Sequence, residues 1–293
     1  MEKTLLIANP MAGTGWKGRS LNEVVNRLKE TFPGLEIINT RGPGDATALS
    51  RQAVSDGYRT IIAAGGDGTI NEAINGMAVS QSILGIIPMG TGNAIARELG
   101  LSLNPVRAAS MLANSISKKI HLGIANGRYF IVGAGIGFDA LMMARVDRKY
   151  KGLKKRIGVI PYIVAGIEEL YLYNHPRIKF VIDGEEHTGE YGLVVKSNAG
   201  RYRFAKSISL DDPSLLLCLF RHVKTIPFLR YWLSVLSGDP VNSEEIAYIR
   251  GKEIYISSDD PVPVHVDGEV MGKLPVKISL VENALNLLSR SSI

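Results

Sequence analysis

The chain contains 293 residues, with 34 lysine and arginine residues against 28 aspartate and glutamate residues, a net charge of +6. Its 45% hydrophobic and 21% charged residues exclude an intrinsically disordered chain, and its length predicts two domains or one large domain. Because Cys218 is the only cysteine, an internal disulfide and a zinc site built on several thiolates are also excluded.

The first 120 residues alternate between strand-length and helix-length patterns. Short apolar runs separated by amphipathic stretches are typical of a parallel sheet with helices on both faces. We therefore predict an α/β domain with a doubly wound parallel sheet over residues 1–120, with residues 284–293 as a candidate addition to it. The predicted strands are Leu5–Ala8, Leu35–Ile38, Ile61–Ala64 and Ile83–Ile87, and the predicted helices are Ser20–Thr31, Asp45–Asp56, Thr69–Ala78 and Asn93–Leu99.

A second pattern begins at residue 121, where short strand-like runs are separated by turn signals such as Asn126-Gly127. Helical stretches near 150–174 and 225–237 interrupt these runs. We predict a mainly antiparallel β domain over 121–283, with the active site in the cleft between the two domains. The predicted strands are Ile120–Ala125, Tyr129–Gly133, Ile178–Ile182, Gly192–Ser197, Leu215–Phe220, Glu253–Ser257, Val262–Asp267 and Val276–Val281.

The basic residues of this second region are concentrated in one segment. Residues 145–156, RVDRKYKGLKKR, hold seven bases and one acid, which leaves 27 bases and 27 acids elsewhere. Such a focused cluster fits contact with an anionic surface, and a solvated helix face or loop is the alternative. The apolar residues that follow, among them Ile160, Ile163 and Val164, are expected mainly to pack against the sheet, and insertion into the membrane interface is the alternative.

Glycine-rich loops follow three of the N-terminal strands, at 9–13 (NPMAG), 65–69 (GGDGT) and 88–93 (PMGTGN). Glycine lets the backbone approach a ligand, and a helix start offers amide groups that suit phosphate. A tight turn explains any one of these loops, but three at one sheet edge indicate a nucleotide triphosphate. The dinucleotide-binding fingerprint and the P-loop pattern do not fit, so hydride transfer is not expected.

The segment GGDGTINEAING at 65–76 resembles the hallmark of the diacylglycerol kinase and sphingosine kinase superfamily, in particular its bacterial soluble lipid kinases. Its glycine–aspartate core is shared with NAD kinases and phosphofructokinases, and the continuation Asn71-Glu72 and Asn75-Gly76 favours lipid kinases. Together the matching motifs cover almost the whole chain. The other matches are 9–13, Thr40 with 43–46, 88–97, 135–139 and 266–269.

The resemblance implies ATP as the phosphate donor, with Mg²⁺ between the phosphates and Asp67. A cation is expected there because a bare carboxylate facing phosphate is unfavourable; a helix N-cap is the alternative role for Asp67. The implied nucleotide-binding residues are Asn9, Pro10, Met11, Ala12, Gly13, Thr40, Gly65, Gly66, Asp67, Gly68, Thr69, Ile70, Asn71 and Thr91.

For the acceptor, the resemblance implies that Glu269 takes the proton of the attacking hydroxyl, with Asp267 beside it. An ordinary Asp-Gly hairpin turn is the alternative at this place. By the same resemblance Asp139 contacts the acceptor, and capping of a helix over Ala140–Val146 is the alternative.

Relatives also carry a structural Mg²⁺ in a loop that corresponds to 209–214. Asp212 matches the ligand aspartate, and Ser209 and Ser214 occupy flanking positions. Pro213 replaces the usual glycine and cannot copy its positive φ.

The expected activity is transfer of the γ-phosphoryl group of ATP to a hydroxyl of a membrane lipid, with diacylglycerol as the first candidate and a sphingoid base or another lipid alcohol as the second. A kinase of a soluble acceptor such as NAD, and a binding protein without turnover, remain alternatives. We expect a cytoplasmic protein that contacts anionic lipid peripherally through 145–156, with a homodimer as a further expectation. The start MEKTLLIANP lacks the features of a signal peptide, and no sign of nucleic-acid binding accompanies the charge.

Overall fold

The computed structural model describes residues 2–13, 18–150, 160–198, 203–205, 208–238 and 246–289. The chain folds into two compact units. The first comprises Met1–His121 with Glu282–Ile293, and the second comprises Leu122–Val281.

The first unit is built on a parallel sheet in the order β2-β1-β3-β4, beside which the end of the last strand, β16 (Val276–Ser289), pairs with β4. Strands β1 and β3 are buried along their whole length, because helices cover a parallel sheet on both faces. The strands are β1 (Thr4–Ala8), β2 (Leu35–Asn39), β3 (Thr60–Gly65) and β4 (Ile83–Pro88), and the helices are α1 (Gly18–Thr31), α2 (Asp45–Ser55), α3 (Asp67–Met77), α4 (Ala94–Glu98) and α5 (Pro105–Leu112).

Helix α5 is the one element of this unit that the sequence analysis did not predict. Its start carries clear signals, because Pro105 is the first helical residue and the side chain of Asn104 accepts a hydrogen bond from the amide of Arg107. The helix has only eight residues, and its buried positions are two alanines and one leucine, so its apolar pattern is short.

The second unit contains an antiparallel sheet in the order β12-β11-β10-β7-β14-β15. Its other strands include the β5–β6 hairpin, and β8 pairs with β9 and β13, which in turn pairs with the first part of β16. The strands are β5 (Ile116–Ala125), β6 (Arg128–Phe130), β7 (Gly133–Ile136), β8 (Ile178–Ile182), β9 (Glu185–Gly189), β10 (Tyr191–Val195), β11 (Leu215–Phe220), β12 (Ile246–Gly251), β13 (Glu253–Ser257), β14 (Pro263–Val266) and β15 (Glu269–Lys273), and the described helices are α6 (Phe138–Lys149), α7 (Ile160–Leu172) and α8 (Thr225–Ser237).

Strand β11 shows how the second unit is layered. Leu215, Leu217 and Leu219 point into a cluster that also contains residues of β8, β13 and β16, so one face of the sheet packs on other strands. The alternate residues Leu216 and Cys218 belong to a cluster with residues of α6, α7 and α8. Both faces of the strand are therefore covered, which explains its uninterrupted apolar sequence.

The predicted fold class is confirmed, with two local differences in the second unit. The predicted strand Tyr129–Gly133 is two strands, β6 and β7, because the side chain of Asp267 accepts the amides of residues 131–133 in place of a neighbouring strand. The predicted helix near 150–174 corresponds to α7, while α6 precedes it and contains the expected helix Ala140–Val146.

Candidate active site

The three glycine loops lie against one another in the first unit. The amide of Met89 donates to the carbonyl oxygen of Gly65 at 2.8 Å, which joins the loops after β4 and β3. At Gly13 φ is +61°, and a Cβ there would lie 2.4 Å from the carbonyl oxygen of Met89. A Cβ on Gly90 would lie 2.7 Å from the Cα of Gly66. Glycine is required because a side chain at these positions would push the loops apart.

Asn9 connects the first loop to the start of α3. Its Nδ2 donates to Oγ1 of Thr69 at 2.8 Å, and its Oδ1 accepts from the amide of Met11 at 2.9 Å. Because the backbone amide of Asn9 also donates to the carbonyl oxygen of Ala64, the residue is fixed on both sides. Its role in this structure is to position the loop.

Asp67 is the first residue of α3, and its carboxylate lies at the start of α4. Oδ1 accepts from the amide of Ile95 at 3.2 Å. Burial raises the pKa of Asp67 above its ordinary value, although hydrogen bonds from the amides of residues 93–95 oppose the shift. This carboxylate is thus an incompletely stabilised anion beside exposed loop backbone, and its oxygens fit Mg²⁺, which prefers carboxylate and phosphate ligands.

Asn93 holds the loop after β4 in shape through its own side chain. Its φ is +50°, its Oδ1 accepts from the amide of Gly90 at 2.8 Å, and its Nδ2 donates to the Gly90 carbonyl oxygen at 2.9 Å. Arg97 adds a hydrogen bond from Nε to the carbonyl oxygen of Gly92 at 3.0 Å. Thr91 is therefore left exposed at the tip of a rigid loop.

The remaining motif residues of this unit either offer backbone groups to a ligand or stabilise the loops. The amide of Thr40 donates to the Ala8 carbonyl oxygen at 2.9 Å, which places Thr40 at the end of β2. Exposed residues of the predicted nucleotide site can offer side chains or amides directly, whereas buried ones support the fold. Pro10, Met11 and Gly68 are exposed, and Ala12, Thr69, Ile70 and Asn71 are buried.

Glu72 has a structural role that the sequence analysis missed. Its two carboxylate oxygens accept from the amides of Gly44 and Ala46 at 2.9 and 3.1 Å, which satisfies the first amides of α2. Gly76, four residues on, approaches α2 so closely that a Cβ would lie 2.4 Å from the carbonyl oxygen of Thr47. The continuation of the glycine–aspartate motif therefore packs α3 on α2.

Glu269 begins β15 in the second unit. Its side chain is 48% exposed and forms an ion pair with Arg128 of β6. A solvent-accessible carboxylate can receive a proton from a bound hydroxyl, and the ion pair with Arg128 orients this one.

Asp267 has a different environment from its neighbour. It has φ of +45°, and its carboxylate accepts three backbone amides, those of Ile131, Val132 and Gly133, at 2.9–3.0 Å. Burial raises the pKa of Asp267, and these amides oppose the shift. The residue fixes the turn that carries Glu269 to the segment between β6 and β7.

Asp139 lies in the first turn of α6 and is 2% exposed. The hydroxyl of Tyr191 donates to its Oδ1 at 2.5 Å, and His265 Nε2 lies 3.4 Å from its Oδ2. Because the amide of Gly268 donates to Nδ1 of His265 at 3.3 Å, the neutral ring carries its proton on Nε2 and donates it to Asp139. Asp139 is thereby connected to the Asp267–Glu269 turn, and no residue spacing in the sequence indicates this role of His265.

The expected metal loop at 209–214 connects β10 to β11. Asp212 and Ser214 hydrogen-bond each other at 2.6 Å, and Asp212 also forms an ion pair with Arg250 of β12. Three carbonyl oxygens of the loop, including that of Ser209, accept from the ammonium group of Lys196. Among the described residues, no group of three or more histidine, cysteine, aspartate or glutamate side chains could hold a metal ion.

Helices α7 and α8 expose large apolar side chains, so the expectation that Ile160, Ile163 and Val164 pack against the sheet is wrong. These residues lie with Ile167 and Tyr171 at helical spacing on one exposed face, whereas Pro161, Ala165 and Glu169 form the buried face. On α8 the exposed apolar residues are Ile226, Leu229 and Leu233.

Some of the positive charge in the basic segment 145–156 is already paired with acidic side chains. Arg145 forms ion pairs with Glu168 and Glu169 of α7, and Lys149 pairs with Glu168 at 2.7 Å. Two of the seven bases are thus paired with acids outside the segment, and residues 151–156 lie outside the described part of the chain. Within the described residues, no helix is both long and apolar enough to cross a bilayer.

Comparison with known proteins identifies the family. Residues 3–125 match the diacylglycerol kinase catalytic domain, and residues 131–289 match the YegS C-terminal NAD kinase beta sandwich-like domain. The chain is 30% identical to a diacylglycerol kinase of Bacillus subtilis over 94% of this chain and 92% of that protein. It is also 30% identical to a diacylglycerol kinase of Staphylococcus carnosus over 98% of this chain and 92% of that protein.

The fold agrees with this result. A crystal structure of a diacylglycerol kinase from Bacillus anthracis superimposes with a TM-score of 0.79 at 25% identity, covering 100% of this chain and 98% of that chain. The chain therefore belongs to the diacylglycerol kinase family and is an ATP-using phosphotransferase with an alcohol group as acceptor.

Proposed function

We propose that this protein transfers the γ-phosphoryl group of ATP to the free hydroxyl of diacylglycerol and so produces phosphatidic acid. The observation that carries the proposal is the convergence of three glycine loops around a carboxylate, Asp67, whose pKa burial has raised. The choice of acceptor is supported by relatives that are named diacylglycerol kinases and that align with more than nine-tenths of this chain.

In this proposal the loops at 9–13, 65–71 and 88–93, with Thr40, hold the nucleotide. Their contribution is backbone amides and the positive ends of α3 and α4, which suit phosphate oxygens. Asp67 would hold a Mg²⁺ ion with the nucleotide, and the ion would supply charge neutralisation during phosphoryl transfer. The rigid loop formed by Asn93 and Gly90 keeps the Thr91 end of the site in place.

Glu269 takes the proton of the acceptor hydroxyl. It is the accessible carboxylate of its turn, whereas the carboxylate of Asp267 is occupied by three amides. The ion pair with Arg128 keeps Glu269 oriented between cycles. Asp139, with His265 and Tyr191, supports this turn from below through the hydrogen bond to Gly268.

The lipid substrate requires the enzyme to work at a membrane surface. We infer that the exposed apolar faces of α7 and α8 bind at the interface, in the manner of an amphipathic helix lying in the plane of the bilayer. On α8, Ile226 is 74% exposed, and a basic residue, Arg230, lies on the exposed surface of the same helix. The basic segment 145–156 then adds attraction to anionic lipid.

A transfer screen tests the proposed acceptor. Radiolabelled γ-phosphate of ATP is offered with diacylglycerol, sphingosine, ceramide or undecaprenol in mixed micelles, and with NAD in a parallel reaction without micelles. Diacylglycerol should give the highest kcat/KM. A tenfold higher kcat/KM for another lipid would show that diacylglycerol is not the preferred acceptor. Transfer to NAD alone would overturn the proposal that the acceptor is a membrane lipid.

A further inference from the structure

The loop between β10 and β11 is organised around one buried ammonium group. Lys196 follows β10 directly and its side chain is 0% exposed. Its Nζ donates to the carbonyl oxygens of Ser209 at 3.0 Å, Leu210 at 3.2 Å and Asp212 at 3.0 Å. An ammonium group has three N–H donors, so each donor has one carbonyl acceptor.

Several carbonyl oxygens of one loop turned toward a common point are the usual coordination of a hard cation. Here Ser209, Leu210 and Asp212 turn their carbonyl oxygens toward a lysine from the neighbouring strand end. The amide of Asp212 also donates to the carbonyl oxygen of Ser209 at 3.1 Å, which closes the turn. The position of the cation in the loop is therefore filled by a side chain.

The carboxylate of the same loop is also fully engaged. Oδ1 of Asp212 accepts from the hydroxyl of Ser214 at 2.6 Å, and Oδ2 accepts from Arg250 at 2.5 Å. Arg250 donates to the Ser214 hydroxyl oxygen as well, at 2.7 Å. Burial acts to raise the pKa of Asp212, but the bonds from Ser214 and Arg250 bring it below its ordinary value.

We propose that Lys196 and Arg250 replace a divalent metal ion in this loop, so that the loop folds and functions without metal. Each residue carries one positive charge, and together they supply the charge of one divalent cation. Lys196 takes the carbonyl ligands and Arg250 takes the carboxylate. Pro213 is compatible with this arrangement, because a loop that binds a side chain does not need the positive φ of glycine at that place.

The proposal separates two metal requirements. Divalent ions are needed with the nucleotide at Asp67, whereas the second unit holds its loop with its own cations. The nucleotide-free protein is therefore expected to have a metal-independent stability, whatever its lipid acceptor.

The first test uses the unaltered full chain without nucleotide. After dialysis against EDTA, metal analysis should find less than about 0.1 equivalent of divalent ion, and the Tm should change by less than about 1 °C when Mg²⁺ or Mn²⁺ is added to 5 mM. A Tm that rises with Mn²⁺ and loses this response in Asp212→Asn would overturn the proposal, because it would place a metal in the loop.

The second test removes the ammonium group. Lys196→Met keeps most of the side-chain volume but leaves three carbonyl oxygens without their donor, and it should lower the Tm by about 5–10 °C. Lys273→Met, an exposed lysine of β15, is the matched control and should shift the Tm by less than about 1 °C. Equal Tm values for the two variants would overturn the role of Lys196.

A third variant asks whether the vacated position is a cation site. In Lys196→Ala/Arg250→Ala the carbonyl oxygens and the Asp212 carboxylate are both released, so Mn²⁺ should raise the Tm of this double variant by several degrees. Asp212→Asn added to the double variant should abolish the rise. If Mn²⁺ has no effect, the cation position is too altered or too small for a divalent ion, and the replacement proposal fails.

Discussion

The loops that contain Asp67 and Asp212 each have a carboxylate beside several backbone polar groups, but the two carboxylates have opposite pKa shifts. At Asp67 burial raises the carboxyl pKa and backbone amides lower it, and the net result is a raised pKa. Around Asp212 a guanidinium and a hydroxyl meet the carboxylate, and an ammonium group meets the carbonyl oxygens. The carboxylate of Asp67 is therefore available to a ligand, whereas the loop of Asp212 is neutralised by Lys196 and Arg250.

The difference has a consequence for stability. A carboxyl whose pKa is raised by folding destabilises the folded state at neutral pH, since the ionised form is held less well than in the unfolded chain. At Asp212 folding instead lowers the carboxyl pKa, so its ionised form is held better in the folded state than in the unfolded chain. A raised carboxyl pKa beside exposed glycine-loop backbone therefore makes Asp67 a candidate binding residue, whereas the raised pKa of Asp267 accompanies three backbone amide partners and a structural role.

The same contrast occurs within a single turn, and it predicts the largest effects. Glu269→Gln removes the proposed proton acceptor, so the rate of phosphoryl transfer should fall about 10³-fold or more, with a Tm within about 1 °C of the unaltered protein. Steady-state kinetics and thermal unfolding measure both quantities.

The neighbouring residue should behave in the reverse sense. Asp267→Asn keeps the preference for positive φ but turns an amide group toward one of the three backbone N–H groups, at a cost of about 1–3 kcal/mol, so the Tm should fall by several degrees. Glu253→Gln, on an exposed glutamate that pairs with Lys277, is the control and should change neither quantity. Loss of turnover without loss of stability in Asp267→Asn would make Asp267 the reacting group.

Asp67→Asn tests the nucleotide loop with effects of opposite sign on activity and stability. Transfer should fall by about 10²–10³-fold because the Mg²⁺ ligand is lost. The Tm of the nucleotide-free protein should instead rise by about 1–3 °C, because asparagine has no charge to bury and its Oδ1 can still accept from Ile95.

The pH dependence gives the control for this variant. Since folding raises the pKa of Asp67, the ionised carboxylate costs stability above that pKa, and the cost disappears as the pH falls below the unfolded value. The Tm difference between Asp67→Asn and the unaltered protein should therefore vanish in acid, while the exposed variant Asp259→Asn should show no difference at neutral pH. A lower Tm for Asp67→Asn at neutral pH would contradict the inference that the ionised Asp67 carboxylate destabilises the nucleotide-free protein.

The sequence was sufficient for the features that local pattern encodes. The glycine loops could be placed because each follows a buried strand and opens a helix, and parallel strands bring such loops to one edge. The contacts of Lys196 could not be predicted, because its acceptors are backbone carbonyl oxygens 13, 14 and 16 residues away and any residue type can supply them. Asp267 and Glu269 also look equivalent in sequence, since only the β6–β7 segment, more than 130 residues earlier, separates their roles.

The smallest predicted effects concern the membrane, and they separate apolar from charged contact. Ile226→Ser/Leu233→Ser removes two exposed side chains of α8 and should weaken binding to phosphatidylglycerol-containing vesicles about tenfold, measured by sedimentation, with ATP binding unchanged. Ile116→Ser changes an exposed isoleucine in the part of β5 that belongs to the first unit, and it should have no effect. Lys149→Ala should weaken vesicle binding less than about twofold, because Lys149 is already paired with Glu168. If Lys149→Ala weakened binding more than the α8 double variant, charge would be the main source of membrane affinity, and the exposed faces of α7 and α8 would need another partner.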